Sequence, residues 1–251
     1  MEYLFTFIIA YKYQPDRLKS LRRVLDWINN FQKVQVILVE QDTHSKISHL
    51  SLKCQHIFVK ANGPFNKSWA YNIGLNYAKT NVIVFGDSDI IMNHDDFIAG
   101  LNALQTYDMV SPYNSVLDLT EDESMLQLPQ MCNINRPGRG ETDIQKINIG
   151  GGITMFRRDA IMKIGGFSEN FLGWGAEDDF QAIKIKKFLN WVELKARCFH
   201  LYHNRGITDM KLYQRNLQLL QQASKMSDQD ISRSIGMSMN KIGMKNKYDN
   251  F

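Results

Sequence analysis

An α/β fold, with a central, mainly parallel mixed sheet flanked by helices, is predicted by two features of this 251-residue sequence. Short apolar runs with strand character alternate with segments of helical spacing, and the chain is long enough to bury one substantial core. With 44% hydrophobic and 22% charged residues the composition is that of an ordinary globular protein. A net charge of +4 implies mild attraction to anions such as phosphates or an acidic membrane face. No Lys/Arg block of the kind that grips nucleic acid is present, so nucleic acid is not an expected partner.

Strands are expected at residues 4–10, 34–40, 56–59 and 82–85. Between them, Leu18, Leu21, Leu25 and Ile28, and later Ala70, Ile73 and Tyr77, recur at helical spacing. Such alternation builds parallel strands with right-handed crossovers, and those sheets bind ligands beyond the carboxyl ends of their strands. The first apolar run is too short to span a bilayer and has no basic flank, so it reads as strand rather than anchor or signal. Cys54, Cys132 and Cys198 are odd in number and in no metal-ligand spacing, which implies free thiols in a reducing compartment. A cytoplasmic protein, resting at most on the inner face of a membrane, is the expectation.

From residue 113 to 145 the periodicity fades into a polar stretch with Pro129, Pro137, Gly138 and Gly140, expected as a loop insertion. INIGGGITMF then reads as a strand pair, DAIMKIGGF as a short helix ending at Gly165 and Gly166, and the segment after GWGAEDDF as an amphipathic helix. Residues 207–226 read as helical, and the Met-, Asn- and Lys-rich end as weakly ordered.

The stretch VIVFGDSDIIM ends a buried strand in Asp87 and Asp89. A carboxylate there needs water, donors or a cation. Residues i and i+2 of an extended chain point the same way, so both acids could face one ion, or one could hold the ion while the other binds a sugar hydroxyl. Hard oxygen ligands suit Mg²⁺ or Mn²⁺ bridging protein to a diphosphate, although a solvated turn gives the same pattern. His200 and His203, after a strand-like VELKARCF, are imidazoles that could complete such a shell. Glu177, Asp178 and Asp179 open a helix whose dipole favours ionised acids, a pattern that capping alone also explains. Trp174 between two glycines suits a sugar platform or lid. Gly150, Gly151 and Gly152 would let a ligand approach the backbone, or make a tight turn.

Together AYKYQPDRL, PFNKSWAYNIG with VFGDSDIIM, GGITMF with IGGFSENFLGWGAEDDF, and HLYH resemble, in order and spacing, the catalytic domain of the β-1,4-galactosyltransferase family. That resemblance implies a GT-A (nucleotide-diphospho-sugar transferase) fold and an inverting glycosyltransferase that moves a hexose or N-acetylhexosamine from a UDP-sugar to a glycan acceptor hydroxyl. It implies a nucleotide-binding half and an acceptor half, which we read at residues 1–110 and 146–206 of a domain over 1–206 with the insertion at 113–145 between them; the pattern beyond predicts a helical tail at 207–251. Asp178 then matches the catalytic base, and Trp174, Glu177 and Asp179 the acceptor site. Ala10, Lys12, Lys67, Asp87, Ile149, Gly151 and Gly152 match donor positions, and Asp89, His200 and His203 the metal ligands. Mn²⁺ is the implied cofactor.

Two departures bear on substrate. His200 stands where the family carries a methionine ligand; a nitrogen donor there should extend tolerance to Mg²⁺, which metal titration of activity tests. Ile149 stands where galactose-specific members carry tyrosine, leaving room for a 2-acetamido group. The implied setting is polysaccharide biosynthesis from the cytoplasmic side. Rival readings are a sugar-nucleotide nucleotidyltransferase and a non-catalytic carbohydrate-binding protein on the same fold; release of UDP on adding donor and acceptor separates the latter.

Overall fold

The computed structural model describes residues 3–141, 148–204, 206 and 209–248. The elements run β1 (Phe5–Tyr11), α1 (Pro15–Ile28), β2 (Val34–Asp42), β3 (Gln55–Lys60), α2 (Lys67–Tyr77), β4 (Val82–Gly86), β5 (Ile90–Met92) and α3 (His94–Ala103). They continue with β6 (Met109–Ser111), β7 (Ser115–Asp118), α4 (Leu128–Cys132), β8 (Ile153–Arg157), α5 (Arg158–Lys163) and α6 (Glu177–Phe188). The last are β9 (Trp191–Glu193), β10 (Arg197–His200), α7 (Met210–Ser224) and α8 (Asp228–Ser238). The four expected strands and both expected early helices are present, with ends shifted by one or two residues.

Seven strands form the central sheet in the order β3-β2-β1-β4-β8-β6-β9. β3, β2, β1 and β4 are parallel, and β8 runs antiparallel to both its neighbours. A second sheet, β5-β10-β7, starts with the strand that follows β4 in the chain, with β10 antiparallel to β5 and parallel to β7. Alternate residues of β1 serve opposite cores: Phe5, Phe7, Ile9 and Tyr11 on one face, Ile8 and Ala10 on the other. On the first face Trp27 of α1 meets Phe97 of α3 edge-on at 5.2 Å, and Phe31 lies 4.7 Å from Phe97. Each such ring pair adds about 0.5–1.5 kcal/mol beyond its burial. Trp27 also donates its indole N–H to the Met92 carbonyl at 2.9 Å, which ties α1 to the strand that follows Asp89.

Several expectations are corrected. The 113–145 segment is no plain loop: it holds β7, a 3-10 turn at Glu123–Met125 and α4, with Val116 and Arg139 bridged, while residues 142–145 lie outside the described residues. INIGGGITMF gives one strand, because Gly150 to Gly152 turn before β8 begins at Ile153; Ile147 lies outside the described residues. α6 is not cleanly amphipathic, since Gln181 and Lys184 are on its buried face. The expected helix from 207 begins at Met210, with Ile207 outside the described residues.

The segment expected to be weakly ordered forms α8 and two further 3-10 turns that pack on the domain. Ile231 and Ile242 are buried, and the Trp69 indole donates to the Met244 carbonyl at 2.9 Å. Glu169, also buried, accepts from the Gly243 N–H and from the Lys247 ammonium, both at 2.6 Å. Beneath this tail lies a cavity of about 280 Å³, lined by residues that include Glu169, Phe180, Lys184, Ile231 and Ile242. No helix among the described residues is long and apolar enough to cross a membrane, and the three cysteines are free.

Lys184 is 2% exposed and donates to the Ile164 and Gly166 carbonyls at the end of α5. Burial draws its ammonium down to about 7 from 10.5. Between those values the unfolded chain binds the proton that the folded chain has released, so this group's contribution to stability rises with pH across that window. Urea unfolding of wild type and Lys184→Met at pH 6.5 and 9.5 should therefore show the wild type gaining on the variant at the higher pH. A difference independent of pH would contradict this assignment.

Candidate active site

The chain leaves β4 at Gly86, turns through Asp87, Ser88 and Asp89, and re-enters a strand at Ile90. Over this turn the two carboxylates part. Asp89 faces α1 and β10, whereas Asp87 faces α2. β10 runs antiparallel to β5 with His200 opposite Ile90, and the Leu201 N–H donates to the Asp89 carbonyl at 2.7 Å. That register sets the HLYH segment beside the turn.

Asp89 has 6% of its side chain exposed. His203 Nε2 lies 3.3 Å from its Oδ2, His200 Nε2 3.8 Å from its Oδ1, and Arg17 Nη1 3.2 Å from Oδ2. Burial alone would raise this carboxyl, but the His203 hydrogen bond, with the charges of His200 and Arg17, holds it below the usual carboxylate range. The same bond raises His203 against its own burial. One ligand atom from each of Asp89, His200 and His203 falls within 4.8 Å of the other two.

The group fits a divalent cation. Ligands about 2.1 Å from an ion stand roughly 3 Å or more from one another, and the imidazole nitrogens lie 3.3 and 3.8 Å from Asp89. One carboxylate oxygen with two imidazole nitrogens suits first-row divalent ions. Both rings also point the right nitrogen inward: Nδ1 of His203 lies 3.0 Å from the Asn204 carbonyl and Nδ1 of His200 2.9 Å from Asp118 Oδ1, so each Nδ1–H is held by an acceptor and Nε2 faces Asp89.

A second charged cluster stands on the other side of the turn. Asn66 caps α2 by accepting from the Trp69 N–H, which fixes Lys67 at the first helical position. The Lys67 ammonium lies 2.9 Å from Asp178 Oδ1, 3.3 Å from Glu177 and 3.8 Å from Asp87. Burial opposes its charge, but Asp178, Asp87 and Glu177 together keep it firmly protonated. Asp178 is pushed up to about 7, first by burial and then by Glu177 and Asp87, against the pull of Lys67. Asp87 also accepts from the Tyr71 hydroxyl at 2.9 Å.

The glycine run is explained by these neighbours. A methyl group on Gly150 would overlap the Asp178 carbonyl, one on Gly151 the Asp178 carboxylate, and one on Gly152, at φ +66°, the Tyr113 hydroxyl. Tyr113 donates to the Gly151 carbonyl at 3.1 Å. Glycine here lets α6 bring its first turn against the strand ends. Just ahead, Gly173 and Gly175 have φ of 72° and 101°, and Ala176, a rare non-glycine in this region, has φ 70°. Asn216 of α7, fully buried, donates to the Leu172 and Gly175 carbonyls at 2.9 and 3.1 Å and so grips this loop. Trp174 is 65% exposed and stacks on Tyr213 at 5.5 Å.

Of the residues expected from sequence, Asp89, His200 and His203 converge on one point, and Lys67, Asp87, Glu177 and Asp178 on another. Asp179 stands apart and accepts from Asn148 Nδ2 at 2.7 Å. Lys12 donates to the Gly63 carbonyl at 3.3 Å, and Ala10 is buried in β1. Ile149, expected beside a donor sugar, packs into the core with its side chain covered. Sequence reasoning missed Arg17, Asp118, Tyr71 and Tyr113. Arg17 lay within a quoted block, but only the placement of α1 shows what it meets.

Two charged clusters thus flank one turn at the carboxyl end of β4. The profile of glycosyl transferase family 2 matches residues 6–165, and that of the N-terminal domain of galactosyltransferase matches residues 141–204. The chain belongs to glycosyl transferase family 2 and has the GT-A fold. Mouse beta-1,4-galactosyltransferase 4 is 24% identical over 183 residues, covering 70% of this chain; the match spans 46% of that relative's length. The catalytic domain of Drosophila beta1,4-galactosyltransferase 7, solved with xylobiose, has a similar fold, with a TM-score of 0.55 and 17% identity over 91% of this chain and 83% of that one. Glucosyl-3-phosphoglycerate synthase from Mycobacterium tuberculosis, solved with Mn²⁺, uridine diphosphate and glucosyl-3-phosphoglycerate, has a TM-score of 0.58 and 14% identity over 90% and 81% of the two chains.

Gly152→Ala should lower stability by about 1–2 kcal/mol for the left-handed backbone alone, and further for the overlap with Tyr113. Urea unfolding checks this; a change within about 0.5 kcal/mol, the range of a neutral surface substitution, would mean the turn is built differently.

Proposed function

We propose that this glycosyltransferase is metal-dependent and inverting, and transfers a hexose or N-acetylhexosamine from a UDP-sugar to a hydroxyl of a glycan acceptor. The observation that carries this reading is the pairing of two clusters across one three-residue turn: a buried carboxylate with two imidazoles on one side, and a lysine among three carboxylates on the other. The Mn²⁺ and uridine diphosphate bound to the structurally similar synthase, and the sugar bound to the Drosophila enzyme, support the same substrate class.

Asp89, His200 and His203 would hold the cation, Mn²⁺ or Mg²⁺. When bound, it would neutralise charge on the departing diphosphate. Asp178 accepts the proton of the attacking hydroxyl. Its raised affinity for protons suits that role, because a base works best when its pKa lies near the working pH. Lys67 keeps the carboxylate oriented at 2.9 Å and offsets the repulsion of its acidic neighbours. Attack from the face opposite the leaving group gives inversion in one displacement. We assign Glu177, Asp179 and the exposed Trp174 to the acceptor, and Lys12, Asp87 and the glycine turn to the donor. We assign the nucleotide-binding half to residues 1–110 and the acceptor half to 146–206, with residues 207–251 as a supporting tail. Ile149 acts on donor choice only through the room it leaves, since its own side chain is buried.

Asp178→Asn should keep UDP binding and abolish transfer, whereas Asp89→Ala should lose metal binding and donor binding together; calorimetry and a UDP-release assay read both. Near-normal turnover in both variants would overturn the assignment. In the wild type, transfer should fall as pH drops below about 7, because Asp178 then takes up a proton and cannot act as base. A flat rate between pH 5.5 and 8 would remove Asp178 from that role.

A further inference from the structure

β7 and β10 are parallel neighbours, and their register sets His200 directly beside Asp118. Asp118 Oδ1 lies 2.9 Å from His200 Nδ1. The same carboxylate is gripped at its other side by Arg139, whose Nε donates to Oδ2 at 2.8 Å and whose Nη2 donates to Oδ1 at 3.0 Å. Arg139 is itself pinned by two backbone hydrogen bonds with Val116, at 2.8 and 2.9 Å. A continuous chain therefore runs from the β7 backbone through Arg139, Asp118 and His200 to Asp89, whose Oδ1 is 3.8 Å from His200 Nε2. His203 has a weaker support, a neutral carbonyl at 3.0 Å.

We propose that Asp118 is a positioning residue for the metal site: it holds the Nδ1–H tautomer and the ring plane of His200, so that Nε2 presents its lone pair to the cation shared with Asp89 and His203. The inference rests on the reading of those three residues as metal ligands. An imidazole can offer either nitrogen, and a ring with the proton on Nε2 is no ligand there; a carboxylate at Nδ1 settles the choice and makes the ligand more basic. A thioether has no tautomer to fix, so Asp118 has a task only because position 200 is histidine.

The test is Mn²⁺ affinity, measured by calorimetry and by the electron paramagnetic resonance of free Mn²⁺, without donor or acceptor. Asp118→Asn should weaken Mn²⁺ binding by about ten- to a hundredfold. Because Asp118 acts through His200, the same substitution made on a His200→Met background should change affinity by less than about twofold, a double-mutant cycle in which a merely structural role would show equal losses in both backgrounds. Should Asp118→Asn fail to fold, ¹⁵N spectra of the wild-type His200 ring with Zn²⁺ bound decide the matter: a proton on Nδ1 supports the proposal, and one on Nε2 overturns it. Wild type that binds Mn²⁺ and loses it on Asp89→Ala, with Asp118→Asn equal to wild type or with equal losses in both backgrounds, overturns the role of Asp118 and leaves the metal site standing. A wild type that binds no Mn²⁺ removes the site and the inference together.

Discussion

A carboxylate with 6% of its side chain exposed needs polar or charged partners within reach, and much of this molecule is arranged to deliver them to Asp89. α1 brings Arg17, and β10 brings His200 and, three residues on, His203. None of these is near Asp89 in sequence. Their arrival depends on the β5–β10 register, on the Trp27 bond to Met92 and on the Leu201 bond to Asp89 itself. Breaking one partner of such a buried arrangement leaves an uncompensated charge, which costs about 3–5 kcal/mol where it has been measured.

The same turn governs the second cluster. Asp87 points away from Asp89 because the chain bends between β4 and β5, and it thereby reaches Tyr71 and Lys67 of α2. Lys67 stands where three carboxylates meet, so its charge is firmly held and Asp178 stays close to it despite the repulsion of Glu177 and Asp87. The glycine turn ahead of β8 makes this geometry possible, since any side chain at 150 to 152 would press on Asp178 or Tyr113. The two clusters are thus held on either side of one turn, and each keeps its own local electrostatics.

Much of this was legible in the sequence, and the rest was not, for physical reasons. The parallel half, residues 5–86, is written in local periodicity, because strands buried on both faces are continuous apolar runs. Asp89, His200, His203 and Asp178 stood out as chemistry-bearing residues in recognisable blocks. Asp118 did not: its meaning lies in a strand register with a partner 82 residues away, and no local pattern encodes that. Alternation along an extended chain set Asp87 and Asp89 on the same side; the turn through Ser88 breaks that alternation and sends them apart, a correction no local pattern announced. The tail misled because its Met-, Asn- and Lys-rich composition reads as solvated, yet Ile231, Ile242 and the carbonyl of Met244 are enough to seat it over Trp69 and Glu169. The glycine run was read as a place where a ligand approaches the backbone or as a tight turn; the turn is present, and the groups that press on it are Asp178 and the Tyr113 hydroxyl.

Under the proposed function, residues more than a hundred positions apart converge on one cation. Anomalous diffraction at the manganese edge, from crystals grown with Mn²⁺ and UDP, addresses it directly. One strong peak is expected, in coordination contact with an Asp89 oxygen and the Nε2 atoms of both His200 and His203. A peak elsewhere, or one in contact with Asp89 while His200 stays turned away, would contradict it.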